Sequence, residues 1–106
     1  RQKEFEMRRK LSDQELRQAL SELSQWHTQL IDEAQSLTRS YPFKNFMAAL
    51  TFANRIGELA ESANHHPQLN VQWGRLDIFW WSHDVGGIST SDVDLARASD
   101  ALFNTL

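Results

Sequence analysis

Pro67 separates two hydrophobic periods that cannot belong to one element. Before it, from Lys44 to Asn64, apolar residues recur at helical intervals. Phe46, Leu50, Ala53, Gly57 and Ala60 form one stripe, and Phe52, Ile56, Leu59 and Ala63 a second on another face. After it, from Leu69 to Trp81, residues alternate. Leu69, Val71, Trp73, Leu76, Ile78 and Trp80 form one set; Asn70, Gln72, Asp77, Phe79 and Trp81 form the other. Proline cannot donate a backbone hydrogen bond and pushes the preceding residue out of the helical region. The pattern therefore predicts a helix that stops at His65-His66-Pro67, with His65 in its last turn and His66 extended. Glu61 lies four residues before His65, a spacing that shares a helical face, so its carboxylate is positioned to fix that ring's tautomer.

Within the alternating region, Gly74-Arg75 reads as the Gly-X pair of a two-residue hairpin turn. Such a turn pairs Trp73 with Leu76 and sets position 83 opposite position 66, with directly opposed Cα atoms about 4.5 to 5.5 Å apart. His83 is thereby returned toward His65 and His66. Three imidazoles are expected to converge.

The remaining elements follow from local signals. Ser12 with Glu15 forms a capping box ahead of Leu16, Leu20 and Leu23, giving a helix over about 13–24. Residues 26–31 and 34–43 read as two strands joined at Asp32-Glu33, and Pro42 closes the second. Gly86-Gly87 make a connection, and Ser89 with Asp92 starts a last helix carrying Leu95, Ser99, Leu102 and Leu106. The order α-β-β-α-β-β-α predicts an α+β fold, a four-stranded antiparallel sheet with three helices on one face. Residues 1–10, with five basic and two acidic side chains, read as an N-terminal arm, and 11–106 as a single domain.

Composition removes whole classes of function. A chain without cysteine has no disulfide, thiolate metal site or thiol nucleophile. A net charge of −3, with no run of five like charges, gives no attraction for nucleic acid. The longest apolar run, Phe46 to Leu50, is far short of the ~20 residues a membrane span needs. A cytoplasmic protein is expected, with targeting upstream of residue 1 left open. No serine or threonine is placed as a nucleophile, and no glycine-rich phosphate loop follows a strand.

His27, alone in a hairpin, reads as a surface residue. For His65, His66 and His83 the bland alternative is a cationic cap on a helix C-terminus. Zinc or iron ligation is weighed against it, but adjacent histidines diverge and no His-x3-His spacing is present. Acid-base catalysis without metal or cofactor suits imidazoles that titrate near neutrality around a small ligand.

With these residues in place, the chain resembles the pterin-4a-carbinolamine dehydratases. The signature reads here as His65-His66-Pro67, Trp73, His83 and Asp92 with every interval matched, supported by Glu61, Phe46 and Phe52. The resemblance covers about residues 11–106. It implies dehydration of a 4a-hydroxytetrahydropterin to the quinonoid dihydropterin, a hydro-lyase step in tetrahydrobiopterin recycling. His65 and His83 would share acid and base work, and His66 would hold the pterin. Asp92 would orient a loop or helix start, and Trp73 would be a core aromatic or, less in keeping with its setting, a pocket wall. Asn64 stands where many relatives have an acid, so a charge that could tune His65 is missing. The resemblance also implies a homotetramer built on the long helix, with the stripe of Phe52, Ile56 and Leu59 as one candidate interface. The alternative is a binding module, a transcription-factor dimerisation cofactor or Rubisco assembly factor. Phe79 and Trp81, on the open sheet face, would be available to such a protein partner.

Overall fold

The computed structural model describes residues 8–106; most of the arm read from residues 1–10 lies outside them. The elements are α1 (Asp13–Glu22), β1 (His27–Ile31), β2 (Ala34–Pro42), α2 (Phe46–Ala63), β3 (Gln68–Gln72), β4 (Arg75–Trp80) and α3 (Thr90–Asn104). The four strands form one antiparallel sheet in the order β1-β2-β4-β3. Leu37, Tyr41, Leu76, Ile78 and Trp80 from the central strands share one core with Ala19 and Leu23 of the α1 segment, Phe52 and Ile56 of α2, and Val93 and Ala96 of α3. All three helices thus cover the same sheet face, and the α+β arrangement read from the sequence is the one observed.

Local chemistry explains the element boundaries. Ser12 Oγ accepts from the Glu15 N–H, and Glu15 accepts from the Ser12 N–H, which completes the capping box of α1. Hydrogen bonds from Arg9 hold the Glu15 carboxyl well below the usual range, at about 2. Asp32 and Glu33 both adopt positive φ, 50° and 69°, as a two-residue turn of the primed type requires. Asp100 on α3 accepts from Trp26 Nε1, Arg39 and the Tyr41 hydroxyl, which ties the end of the last helix to the sheet. Burial and that hydrogen bond push the Tyr41 hydroxyl well above its ordinary pKa.

The second hairpin departs from expectation. Its turn residues are Trp73-Gly74, not Gly74-Arg75, and Val71 rather than Trp73 faces Leu76. Gly74 takes φ +78° at the second turn position, and its carbonyl accepts from the Phe43 N–H at 2.9 Å. A slip of two residues keeps every side chain on its original face, so alternation alone is blind to it. Leu69 and Val71 fill the core side of β3, and Trp73, expected in the core, stands 74% exposed at the turn. Position 83 is not returned opposite position 66, because the ladder ends at Gln68 and Phe79 and His83 lies in a separate turn.

Two apolar surfaces also change places. Phe52 and Ile56, the stripe expected at a subunit interface, lie in the monomer core, with Leu59 packed against it. The outward face of α2 instead presents Phe46 and Met47, with Leu50 and Gly57 partly covered. Phe79 and Trp81, expected to be exposed, are buried. Phe79 lies between Thr38 and Gln68 in the ladder, and the Trp81 ring packs on His83 with centroids 4.8 Å apart. Among the described residues no helix is long and apolar enough to cross a membrane.

Placing Ile56 in the monomer core makes one outcome definite. Ile56→Asp buries an unpaired carboxylate and should cost more than about 4 kcal/mol, abolishing the folded state by circular dichroism. A folded Ile56→Asp variant of smaller assembly size would return this stripe to an interface.

Candidate functional site

The end of α2 is closed by Asn64, before the proline is reached. Asn64 adopts the left-handed conformation (φ 50°, ψ 43°), its N–H bonds the Glu61 carbonyl, and the His65 N–H reaches back to the Ala60 carbonyl at 3.1 Å. This is a Schellman closure, and asparagine tolerates the left-handed region that it needs. Asn64 therefore serves a backbone role.

That closure redirects both histidines. Once the chain leaves the helix at Asn64, the four-residue relation between Glu61 and His65 no longer holds. Glu61 pairs with His66 instead, Oε2 to Nε2 at 2.5 Å, on the protein surface. His65 turns inward and is only 6% exposed. Its Nε2 lies 2.7 Å from Asp92 Oδ1, and its ring runs nearly parallel to that of Trp80, with centroids 6.0 Å apart. Trp80 is itself fully buried and donates from Nε1 to Ser99 Oγ.

Asp92 is the group that sequence reasoning undervalued. It performs the expected task at the start of α3, accepting from the Ser89 N–H at Oδ2 (2.9 Å). The same Oδ2 also accepts from Ser82 Oγ at 2.7 Å, while Oδ1 is given to His65. Asp92 is 0% exposed. A carboxylate in this setting is an acceptor at both oxygens, so the His65 proton facing it resides on Nε2. Nδ1, on the far side of the ring, has no hydrogen-bond partner among the described residues. The spacing of Ser89 and Asp92 signals the helix cap, but nothing in the sequence reveals that the second oxygen reaches His65.

His83 is exposed and opens a turn over 83–86, closed by paired backbone hydrogen bonds between Ser82 and Gly87. The Leu11 N–H bonds the Ile88 carbonyl at 2.8 Å, and the Lys10 side chain lies where a Cβ on Gly87 would be, 2.6 Å from Lys10 Cδ. The expected convergence is thus partial. His65 and the His83 turn meet at Asp92 through Ser82, whereas His66 faces outward with Glu61. Among the described residues, no three histidine, aspartate or glutamate side chains form a group able to hold a metal ion.

An open groove of about 830 Å³ runs beside His66, bounded by Gly57, Ala60, Glu61, Pro67 and Leu69. Another of about 820 Å³ lies between α1 and α3, but no imidazole lines it, and Arg9–Glu15 and Arg97–Glu22 pairs occupy its rim. Of the two, only the first is lined by a histidine, His66.

The chain is thus an α+β domain in which one histidine bonds a buried aspartate and a second stands beside a groove. The model of the pterin 4 alpha carbinolamine dehydratase family matches residues 9–102, and the chain belongs to that family. It is similar to two proteins each named "Putative pterin-4-alpha-carbinolamine dehydratase". The one from Hahella chejuensis is 38% identical over 90% of this chain and 85% of its own. The one from Chlorobaculum tepidum is 40% identical over 87% of this chain and 83% of its own. A crystal structure from Brucella melitensis, described as a transcriptional coactivator/pterin dehydratase, superimposes with a TM-score of 0.77 at 31% identity, covering 88% of this chain and 97% of that one.

The two histidine–carboxylate pairs should differ sharply in energy. Asp92→Ala leaves a buried imidazole and two further donors, the Ser82 hydroxyl and the Ser89 N–H, without an acceptor and should cost about 3 kcal/mol or more in urea denaturation. Glu61→Ala removes an exposed pair and should cost less than about 1 kcal/mol. Equal losses would contradict the assignment of buried and exposed partners.

Proposed function

We propose that this protein dehydrates 4a-hydroxytetrahydropterin to the quinonoid dihydropterin, by histidine acid-base chemistry without metal. The observation that carries the reading is His65, oriented by a buried carboxylate at Nε2 and left with Nδ1 unpaired, in a chain of the dehydratase family. The reaction breaks the C4a–O bond. Hydroxide leaves as water once a general acid supplies a proton, and electrons from a ring nitrogen form the new C=N bond as that nitrogen's proton passes to a base. His65 and His83 share these two transfers. His66, held by Glu61 at the rim of the groove, contacts the pterin. Asp92 orients His65 and does not touch substrate, while Trp73 at its exposed turn is outside the reacting centre.

The exposed Phe46 and Met47 on α2 support assembly of several copies through this helix, a tetramer on the pattern the resemblance implies. A binding role is favoured by one observation, the description of the Brucella structure as a coactivator. Burial of Phe79 and Trp81 removes the surface on which the sequence would have placed that partner.

Metal-stripped protein should accelerate the dehydration fully, and activity lost to chelator and restored by zinc would refute the metal-free route. His65→Ala and His83→Ala should each lower kcat by ~10² or more, the usual scale for a positioned acid or base. His66→Ala should act mainly on KM, and His27→Ala, on the exposed edge strand, should change neither. For assembly, Met47→Asp should yield smaller species that remain folded in sedimentation; unaltered size would move the interface off this face.

A further inference from the structure

The proton inventory around Asp92 singles out a residue that the catalytic reading does not use. Ser82 Oγ lies 2.7 Å from Asp92 Oδ2 and 2.7 Å from Ser89 Oγ. A hydroxyl has one proton. The carboxylate has none to offer, so Ser82 donates to Asp92 and the Ser89 hydroxyl donates to Ser82. The Ser89 N–H occupies the same Oδ2, at 2.9 Å. Oδ2 is thereby committed to the 82–89 segment, and Oδ1 remains with His65 Nε2 alone. Ser82, Ser89 and Asp92 are each at most 1% exposed, so bulk solvent does not reach them to replace a lost donor.

The backbone of the same serine starts the neighbouring turn. The Ser82 N–H bonds the Gly87 carbonyl at 2.8 Å, the Gly87 N–H returns to the Ser82 carbonyl at 3.3 Å, and His83 is the first residue enclosed. We infer that Ser82 is a positioning residue for both histidine-bearing segments, its hydroxyl fixing through Asp92 which nitrogen of His65 carries the proton. The kinetic consequence rests on the dehydratase reading; the tautomeric one does not.

Without the Ser82 hydroxyl, Asp92 loses a charge-assisted bond and the Ser89 hydroxyl loses its acceptor, with Asp92 Oδ2 as its nearest alternative at 3.3 Å. Oδ2 then keeps only the Ser89 N–H at short distance, so the carboxylate turns more easily away from His65, and whenever Oδ1 leaves Nε2 the ring is free to carry its proton on Nδ1. A purely structural hydroxyl would lower stability and leave the ring state of the folded protein unchanged.

The test compares wild type, Ser82→Ala and Ser82→Thr by ¹⁵N NMR of labelled histidine and by steady-state dehydration of 4a-hydroxytetrahydropterin. Wild type should show His65 as the Nε2–H tautomer when neutral. Ser82→Ala should show mixed tautomers and a kcat lower by roughly tenfold, with KM within about twofold. Ser82→Thr, which keeps the hydroxyl, should restore both. A wild-type ring state in Ser82→Ala, or a kcat loss that threonine does not restore, would overturn the assignment. If Ser82→Ala does not fold, Ser82→Cys keeps the volume with a much weaker donor and carries the same comparison. Wild-type protein without turnover would refute the dehydratase reading, while the tautomer comparison would still decide the role of Ser82.

Discussion

A carboxylate sealed from water must have its lone pairs answered by protein donors, and Asp92 answers that requirement with groups from three separate segments. The Ser89 N–H comes from the start of α3, the Ser82 hydroxyl from the end of β4, and His65 Nε2 from beyond the end of α2. Desolvating an ion of this size costs several kcal/mol unless hydrogen bonds compensate it. The packing of α3 against the sheet, the path of the 82–87 turn and the inward rotation of His65 therefore depend on one another. This coupling makes the site a product of the fold rather than an addition to its surface.

The preparation of His65 is physical as well as geometric. Trp80 lies parallel to one face of the ring, and Asp92 holds one edge, so the ring has little freedom to reorient. An imidazole held in this way presents one defined nitrogen, which suits the proton transfer proposed for it. His66, adjacent in sequence, occupies the opposite situation. It is exposed, paired with an exposed carboxylate and beside a groove, which suits contact with a ligand better than a fixed proton transfer.

Much of this was legible in the sequence because local chemistry and the periods agreed. The Ser12–Glu15 capping box, the Asp32-Glu33 turn, the long helix and the alternation after Pro67 each specify their element without tertiary help. The register of the β3–β4 hairpin was not legible, since a slip of two residues preserves the alternating pattern and is decided by Gly74 and its contact with Phe43. The same limit hid the partners of the histidines. A helical face can be extrapolated only while the helix continues, and one left-handed residue, Asn64, exchanged the partner of Glu61 from His65 to His66. The burial of Phe79 and Trp81, and of the Phe52 and Ile56 stripe, depends on which surfaces meet, which periodicity does not encode.

The central claim is that Asp92 and His65 act as one unit within the buried network. A double-mutant cycle in urea unfolding, combining His65→Ala with Asp92→Asn, measures this directly. The account predicts a coupling energy of at least about 1.5 kcal/mol, at the upper part of the range for residues in one hydrogen-bond network. Losses that add to within about 0.5 kcal/mol, as for independent sites, would contradict it.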